Sequence, residues 1–166
     1  HFSDYRSGER TFQLITQVAG RSGRAEEAGK VVLQTYDPEN YILRFAVNYD
    51  YAGFYKHEIA LRKATAFPPF ATIVRVMATG EEEAKVAEVL KAVYSALKEL
   101  YDAQPGKFLF FNKMKAPVKR IQNKFRYQVL MRITDGALLP LIYERSLACR
   151  ARDVLVYVEE NPASLS

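Results

Sequence analysis

The nine residues Phe125–Ile133, FRYQVLMRI, alternate between two kinds of side chain. The odd-numbered positions are all aromatic or aliphatic, whereas three of the four even-numbered positions are Arg or Gln. Successive side chains of a β-strand point to opposite faces of its sheet. The alternation therefore predicts a strand with one buried face and one largely polar face.

Regular elements flank this strand on both sides. We expect three further strands, at Thr72–Ala78, Phe108–Phe111 and Asp153–Glu159, because these segments are rich in β-branched and aromatic residues. Apolar residues at helical spacing predict helices at Glu81–Tyr101 and Leu138–Arg150. The resulting order, βαββαβ, is typical of the ferredoxin-like fold, an α+β unit with two helices on one face of a four-stranded antiparallel sheet.

The segment Ala66–Phe70, AFPPF, separates this unit from the residues before it. Its two prolines fix φ and remove backbone donors, so a helix cannot continue through it. We therefore predict two domains, residues 1–66 and residues 67–166.

The first domain has a mixed pattern of helices and strands. A helix is expected over Gly8–Val18, ended by Gly20, and a strand at Lys30–Tyr36. Asp37, followed by proline, predicts the N-cap of a second helix. A third helix is expected over Asp50–Ala64.

The composition excludes several classes of protein. The chain has 166 residues, 49 % of them hydrophobic, and a single cysteine, Cys149, which cannot form an internal disulfide. No apolar run is long enough to predict a membrane span. These features favour a soluble, cytoplasmic protein. The chain begins with neither a methionine nor an apolar leader, and we expect it to be a piece of a longer protein.

The positive charge is concentrated in one window, residues 103–134. This window contains no acidic residue and eight of the 24 basic ones: Lys107, Lys113, Lys115, Lys119, Arg120, Lys124, Arg126 and Arg132. The rest of the chain has 16 basic and 19 acidic residues. Such clustering predicts a surface that binds a polyanion. The alternative is a solvated surface whose aromatic residues are simply buried strand faces.

The stretch Gln17–Arg24, QVAGRSGR, sets two arginines three residues apart, each after a glycine. Glycine permits close backbone approach, and the guanidinium fork fits phosphate oxygens. The pattern therefore favours a loop that reaches a phosphate. A helix that ends at Gly20 before a solvated basic turn is the other interpretation.

This stretch resembles the sixth motif of the superfamily-two helicases. The segments DYRSGERTFQLITQVAGRSGR, GKVVLQTYDPE, EIALRKATAFPPF and APVKR…NKFRYQVLMR together closely resemble the PriA family of replication-restart DNA helicases, over essentially the whole chain. The resemblance implies that residues 1–66 are the C-terminal part of the second RecA-like helicase lobe with its following helices. It also implies that residues 67–166 are a ferredoxin-like C-terminal domain similar to ribosomal protein S ten.

The resemblance also implies a nucleotide site shared with the rest of a longer, ATP-dependent helicase. Arg21 and Arg24 would be catalytic arginine fingers, and Gln17, Gly20 and Gly23 would contact ATP. ATP with magnesium and a zinc site held by upstream cysteines are implied for that longer protein. This sequence contains neither a GxxxxGK[ST] loop nor a DExH box. We therefore expect the isolated chain to bind no cofactor or metal and to be inactive as an ATP hydrolase.

The same resemblance assigns the second domain to binding in replication restart. It implies DNA or partner contacts by Lys119, Arg120, Lys124, Arg126 and Gln128. The implied partners are branched and single-stranded DNA, the tail of single-stranded DNA-binding protein, and other primosome proteins. The sequence departs from the family at Asn112-Lys113, where relatives have Gly-Pro, and at Tyr127, where many have Trp.

An alternative function remains open at this point. The chain would then be a stand-alone ferredoxin-like module that binds nucleic acid or protein without an enzymatic role. In either case His57, on an amphipathic helix, is expected to be a surface residue and not a metal ligand.

Overall fold

The structure, a computed structural model, describes residues 4–22 and 29–165, apart from the side chains of residues 117 and 118. The chain divides into two compact units, residues 1–65 and 66–166. This division falls at the start of the AFPPF segment. That the first unit is part of a RecA-like lobe stays a prediction.

The described part of the first unit contains three helices: α1 (Ser7–Ser22), α2 (Tyr41–Val47) and α3 (Tyr51–Thr65). Their shared core is small. Phe12 and Phe54 are buried and their rings stack at 4.4 Å, next to buried Ala46. Arg62 on α3 pairs with Glu9 on α1 at 3.2 Å, so an ion pair also joins the two helices.

The first helix does not end where the sequence predicted. Gly20 lies inside α1, which continues to Ser22. Glycine weakens a helix interior by about 1 kcal/mol relative to alanine but does not forbid it. The interpretation of Gly20 as a helix end is therefore wrong.

Two other predictions for this unit are also wrong. The segment Lys30–Tyr36 is exposed and forms no strand, because no described strand pairs with it, and a strand needs a hydrogen-bonded neighbour. The second helix begins at Tyr41 and not at Pro38. Its N-cap is Asn40, whose side-chain oxygen accepts a hydrogen bond from the Ile42 amide at 3.0 Å.

The second unit follows the predicted order βαββαβ. Its elements are β1 (Thr72–Gly80), α4 (Glu83–Ala103), β2 (Phe108–Ile121), β3 (Lys124–Ile133), α5 (Leu139–Ala148) and β4 (Val154–Glu160), with 3-10 turns at Pro105–Lys107 and Gly136–Leu138. The four strands form one antiparallel sheet in the order β2-β3-β1-β4. The α+β class and the element order predicted for this unit are confirmed.

The main core lies between the sheet and the helices α4 and α5. Val76 on β1 pairs with Val129 on β3 and with Val158 on β4, so these residues share one face of the sheet. That face packs against buried residues of α4 and α5, among them Val93 and Ile142.

The opposite face of the two central strands is also buried, which the sequence did not predict. Met77, Gln128 and Leu130 are at most 2 % exposed. Arg75 is 6 % exposed, and its Nε donates to Glu159 at 2.7 Å, so this buried charge is paired. The expectation of a largely polar outer face is therefore wrong at the centre of the sheet.

Strand β2 is much longer than predicted. It continues past Phe111 to Ile121 and forms a hairpin with β3 through a two-residue turn, Gln122-Asn123. Both turn residues have positive φ, 48° and 64°, as the favoured type of tight hairpin turn requires. The pairing is irregular between Lys115 and Arg120, the stretch that contains Pro117. Proline cannot donate to a ladder and is tolerated at such irregularities and on edge strands.

Candidate nucleic-acid interface

The β2–β3 hairpin sets several cations of the basic window on one side of the sheet. Residues directly opposite each other in an antiparallel pair share a face. Lys115 lies opposite Tyr127 and Arg120 lies opposite Phe125, and both aromatic rings pack on the helix-side core. Lys113, opposite Val129, follows the same rule. These three cations therefore lie on the helix side of β2, which is an edge strand.

A groove of about 300 Å³ runs between β2 and helix α4. Three lysines line it: Lys91 from α4, and Lys113 and Lys115 from β2. Its apolar lining includes Leu90 and Tyr127. Within residues 4–22 and 29–165, no acidic side chain forms an ion pair with any of the three lysines. The groove is thus cationic at its rim and apolar at its floor.

Another cation of the window, Lys119, is bound by Glu83, the first residue of α4. Lys119 Nζ lies 2.7 Å from Glu83 Oε1, and the Tyr127 hydroxyl donates a hydrogen bond to the same oxygen. These two hydrogen bonds hold the pKa of Glu83 below its usual range, and the one from Lys119 has the larger effect. The carboxylate in turn raises the pKa values of Lys119 and Tyr127.

Arg120 is exposed near the tip of the hairpin. Its guanidinium lies 5.1 Å from the centre of the Phe125 ring and donates to Asn123 Oδ1 at 3.1 Å. Both contacts hold the side chain within the hairpin, and the residue remains exposed. Arg120 can therefore meet an anion on the same side of the sheet as Lys113 and Lys115.

The other predicted binding residues are not gathered at this place. Lys124 is exposed in a cleft at the end of the sheet that Glu81, Glu82 and Asp153 also line. Arg126 is half-buried opposite Thr79, on the face of β3 away from the helices.

Gln128 lies on that same face and is 1 % exposed, so it is not accessible to a ligand. Of the five predicted residues, the structure places only Lys119 and Arg120 on the helix side of the hairpin. The binding role of the four accessible ones stays a prediction.

The arginine motif of the first unit is described only in part. Gln17 and Arg21 are exposed and one turn apart on α1, with Gly20 between them. Arg21 lies in the last turn, where a cation complements the helix dipole. Gly23 and Arg24 lie outside the described residues. Side chains one turn apart share a helix face, so Gln17 and Arg21 can reach the same ligand.

The described residues contain no group of three His, Cys, Asp or Glu side chains placed to hold a metal ion. His57 packs against the Tyr41 ring at 4.3 Å and the Phe45 ring at 6.0 Å. Among the helices of residues 4–22 and 29–165, none is long and apolar enough to cross a membrane.

Comparison with known proteins matches the second unit closely. Residues 63–162 match the family model of the primosomal protein N C-terminal domain. The chain belongs to this family. The βαββαβ unit with its basic hairpin is therefore the form that the primosomal protein N C-terminal domain takes in this chain.

Curated relatives extend the match to the first unit. The replication restart protein PriA of Bacillus subtilis is 34 % identical over 167 residues, which cover 98 % of this chain and 20 % of the relative. That of Synechocystis is 30 % identical over 165 residues, covering 99 % of this chain and 20 % of the relative. That of Chlamydia trachomatis is 38 % identical over 104 residues, covering 63 % and 14 %. The chain spans about a fifth of the length of the first two relatives.

Sequence reasoning missed part of the candidate interface. Lys113 and Lys115 were counted in the basic window but were not among the predicted binding residues, and Lys91 and Glu83 lie outside the window. Lys113 and Lys115 are two positions apart, and this spacing in a β-strand could have placed both on one face of the sheet. Lys91 and Glu83 lie beside this strand because α4 packs there. No local sequence pattern predicts this tertiary packing.

Proposed function

We propose that this chain is the C-terminal portion of an ATP-dependent DNA helicase of the PriA type, which restarts stalled replication forks and loads the primosome. Its second unit binds branched and single-stranded DNA through the phosphate backbone. Membership of the primosomal protein N family and the similarity to replication restart proteins support the first statement. The basic side of the hairpin supports the second.

The DNA-binding proposal rests on the row of lysines beside the groove, which form no ion pair with any acidic side chain that the structure describes. Lys113 and Lys115 are two residues apart on one strand, so their Cα atoms are about 6.6 Å apart. Lys91 adds a third charge from the facing helix. Cations without acidic partners are the ones that can neutralise phosphates and release counterions. Binding of this kind needs no particular base sequence.

The second candidate ligand is the acidic tail of single-stranded DNA-binding protein. Lys124 and Gln128 would matter most for that ligand. Lys124, however, shares its cleft with Glu81, Glu82 and Asp153, which would repel an acidic peptide, and Gln128 is buried. The acidic cleft around Lys124 and the burial of Gln128 therefore count against binding of the tail at these two residues.

The chain also contributes to an ATP site completed elsewhere in the longer protein. When bound there, ATP with magnesium supplies the phosphoanhydride bond that is hydrolysed. Arg21 and Arg24 bind charge on the phosphates, and Gln17 hydrogen-bonds to the nucleotide, while Gly20 and Gly23 leave room for it. Exposure of Gln17 and Arg21 on one face of α1 fits this role. The zinc of the longer protein is held by residues outside this chain.

The nucleotide role is tested in the longer protein by Arg24→Ala. Arginine fingers contribute about 10³–10⁵ to the rate of phosphoryl transfer. Turnover of ATP should fall by a factor in this range, while DNA affinity stays close to that of the wild type. Turnover at the wild-type rate would contradict the assignment of Arg24.

The DNA role is tested by titrating the chain with forked DNA and, separately, with an acidic peptide. The double variant Lys113→Gln, Lys115→Gln should bind forked DNA about tenfold more weakly at low salt, because two phosphate contacts are lost. The matched control is Lys56→Gln, Lys63→Gln, which removes the same charge from exposed positions of the first unit. Equal loss of affinity in both double variants would show that only net charge matters. The proposal fails if the peptide binds and the DNA does not.

A further inference from the structure

The carboxylate of Glu83 lies where an anionic ligand of the hairpin would be expected. It accepts hydrogen bonds from the ammonium of Lys119 and from the hydroxyl of Tyr127. Both donors belong to the hairpin, whereas Glu83 belongs to α4. The hairpin therefore presents a cation and a neutral donor to one oxygen atom, which is the kind of donor set that binds a phosphate oxygen.

This position is continuous with the basic groove. Tyr127 lines the groove together with Lys115, and its hydroxyl also reaches Glu83. Lys115 is close enough to Glu83 to help lower the pKa of its carboxyl. A backbone that follows Lys113 and Lys115 along β2 would therefore come next to Lys119.

The ion pair that fills this position is easily exchanged. The side chains of Lys119 and Glu83 are 42 % and 39 % exposed. Exposed ion pairs contribute little to stability, because water and salt screen them. Loss of the pair would leave both charges hydrated, so an incoming anion would meet little resistance from the fold.

We infer that Glu83 occupies a phosphate-binding position at Lys119 and Tyr127, and that it competes there with the backbone of single-stranded DNA. This inference rests on the proposed function. In the wild type the carboxylate withholds Lys119 from DNA, and its removal adds Lys119 as one more phosphate contact to the row formed by Lys91, Lys113 and Lys115. Glu83 thus limits the affinity of the unit for nucleic acid.

The row of cations favours a nucleic acid over an acidic peptide as the competitor. Phosphates recur at every nucleotide, so one strand can contact Lys113, Lys115 and Lys119 in turn. Tyr127 is 8 % exposed and its hydroxyl donates to Glu83, so it adds a hydrogen bond and not a base-stacking surface. The predicted contact is consequently independent of base sequence.

The test measures binding of a single-stranded oligothymidylate to the chain at a series of NaCl concentrations. Glu83→Gln should bind about fivefold more tightly than the wild type at low salt, and its plot of log K against log salt should be steeper by about 0.7, the value for one phosphate contact on a single strand. The matched control is Glu88→Gln. Glu88 is exposed on the same helix but lines a different groove, beside Cys149.

The same substitution made in the Lys119→Met variant distinguishes competition at Lys119 from a general effect of removing one negative charge. In Lys119→Met, the substitution Glu83→Gln should no longer steepen the slope by about 0.7, because the phosphate contact of Lys119 no longer exists. A steeper slope that persists in Lys119→Met overturns the inference, as does an equal gain of affinity and slope from Glu83→Gln and Glu88→Gln.

Two further outcomes identify what has failed. If Glu83→Gln strengthens binding of an acidic peptide but not of the oligothymidylate, nucleic acid is the wrong competitor. If neither the wild type nor any variant binds the oligothymidylate at low salt, the proposed function itself is overturned.

Discussion

At the scale of single residues, ion pairs determine which cations of the basic window can meet a ligand. Lys107 lies 2.7 Å from Asp135 and Lys119 lies 2.7 Å from Glu83. Both acids come from outside the window, so the sequence count of eight cations overstates the available charge. Lys113 and Lys115 form no such pair among the described residues, and we therefore expect them to be the more important for binding.

The pair between Lys119 and Glu83 leads to a prediction about pH. Lys119→Met should raise the pKa of the Glu83 carboxyl toward its ordinary value of 4.5, because the largest cause of its depression is removed. In the wild type, the contact stabilises the fold above pH 4.5 and is lost as the pH falls through the lower, folded pKa. Carboxyl titration by NMR measures both values. Lys91→Met is the control, and an equal pKa in wild type and Lys119→Met would contradict the contact.

Gly20 permits a second prediction at this scale. A Cβ atom at this position would meet no atom within 4 Å, and the residue is helical. Gly20→Ala should therefore raise the free energy of unfolding of the first unit by about 0.5–1 kcal/mol. Thermal unfolding of the chain checks this change. A lower stability would show that Gly20 needs a conformation that alanine cannot adopt.

At the scale of elements, the β2–β3 hairpin carries most cations of the proposed binding surface. Its tip depends on two residues in the left-handed region, Gln122 with φ 48° and Asn123 with φ 64°. Asparagine tolerates this region better than glutamine. The hairpin therefore carries a small backbone strain at Gln122.

The turn yields a prediction about hairpin stability. Gln122→Asn should raise the free energy of unfolding by several tenths of a kcal/mol, because asparagine adopts positive φ more readily. DNA affinity should be unchanged, since Gln122 is not part of the cationic row. Denaturant unfolding and a DNA titration measure the two effects. A loss of stability would contradict the turn geometry.

The sequence predicted the elements that have a strong hydrophobic period. Phe125–Ile133 alternates, and the strand is found there with a difference of one residue at its start. The outer half of β2 was not predicted: Met114, Ala116 and Val118 alternate with lysines at 113, 115 and 119, but Pro117 removes a backbone donor within the segment. It is a strand only because β3 supplies its hydrogen-bonding partner. Tertiary pairing therefore decided what local pattern could not.

The candidate site shows the same limit. Lys119 and Arg120, two of the predicted binding residues, lie on the helix side of the hairpin, but burial of Gln128 could not be read from an alternating strand. The even-numbered face of β3 was expected to be polar. At Gln128 and Leu130 it is covered, so the central strands are buried on both faces.

At the scale of the whole molecule, the two units differ in the size of their cores. Among the described residues, the first has a cluster of three buried apolar residues, whereas the second has eighteen. Burial of apolar surface is the main stabilising term in folding. The second unit should therefore be the more stable of the two.

Hydrogen exchange tests this difference. We expect amides of residues 72–159 to be protected longer than those of residues 1–35, because opening the first unit exposes far less apolar surface. Measurement by mass spectrometry after pepsin digestion resolves the two regions. Equal protection would contradict the account of a small, weakly held first unit.

The central claim is that the cations on the helix side of the hairpin bind a nucleic-acid backbone. Its most direct test is the salt dependence of binding to single-stranded DNA. Contacts by Lys91, Lys113, Lys115 and Arg120 predict a slope of about −3 for log K against log salt, since each contact releases about 0.7 of an ion. Reversing two charges, Lys113→Glu with Lys115→Glu, should flatten that slope by about 1.4. A slope near zero, or one that the double reversal leaves unchanged, would contradict the claim.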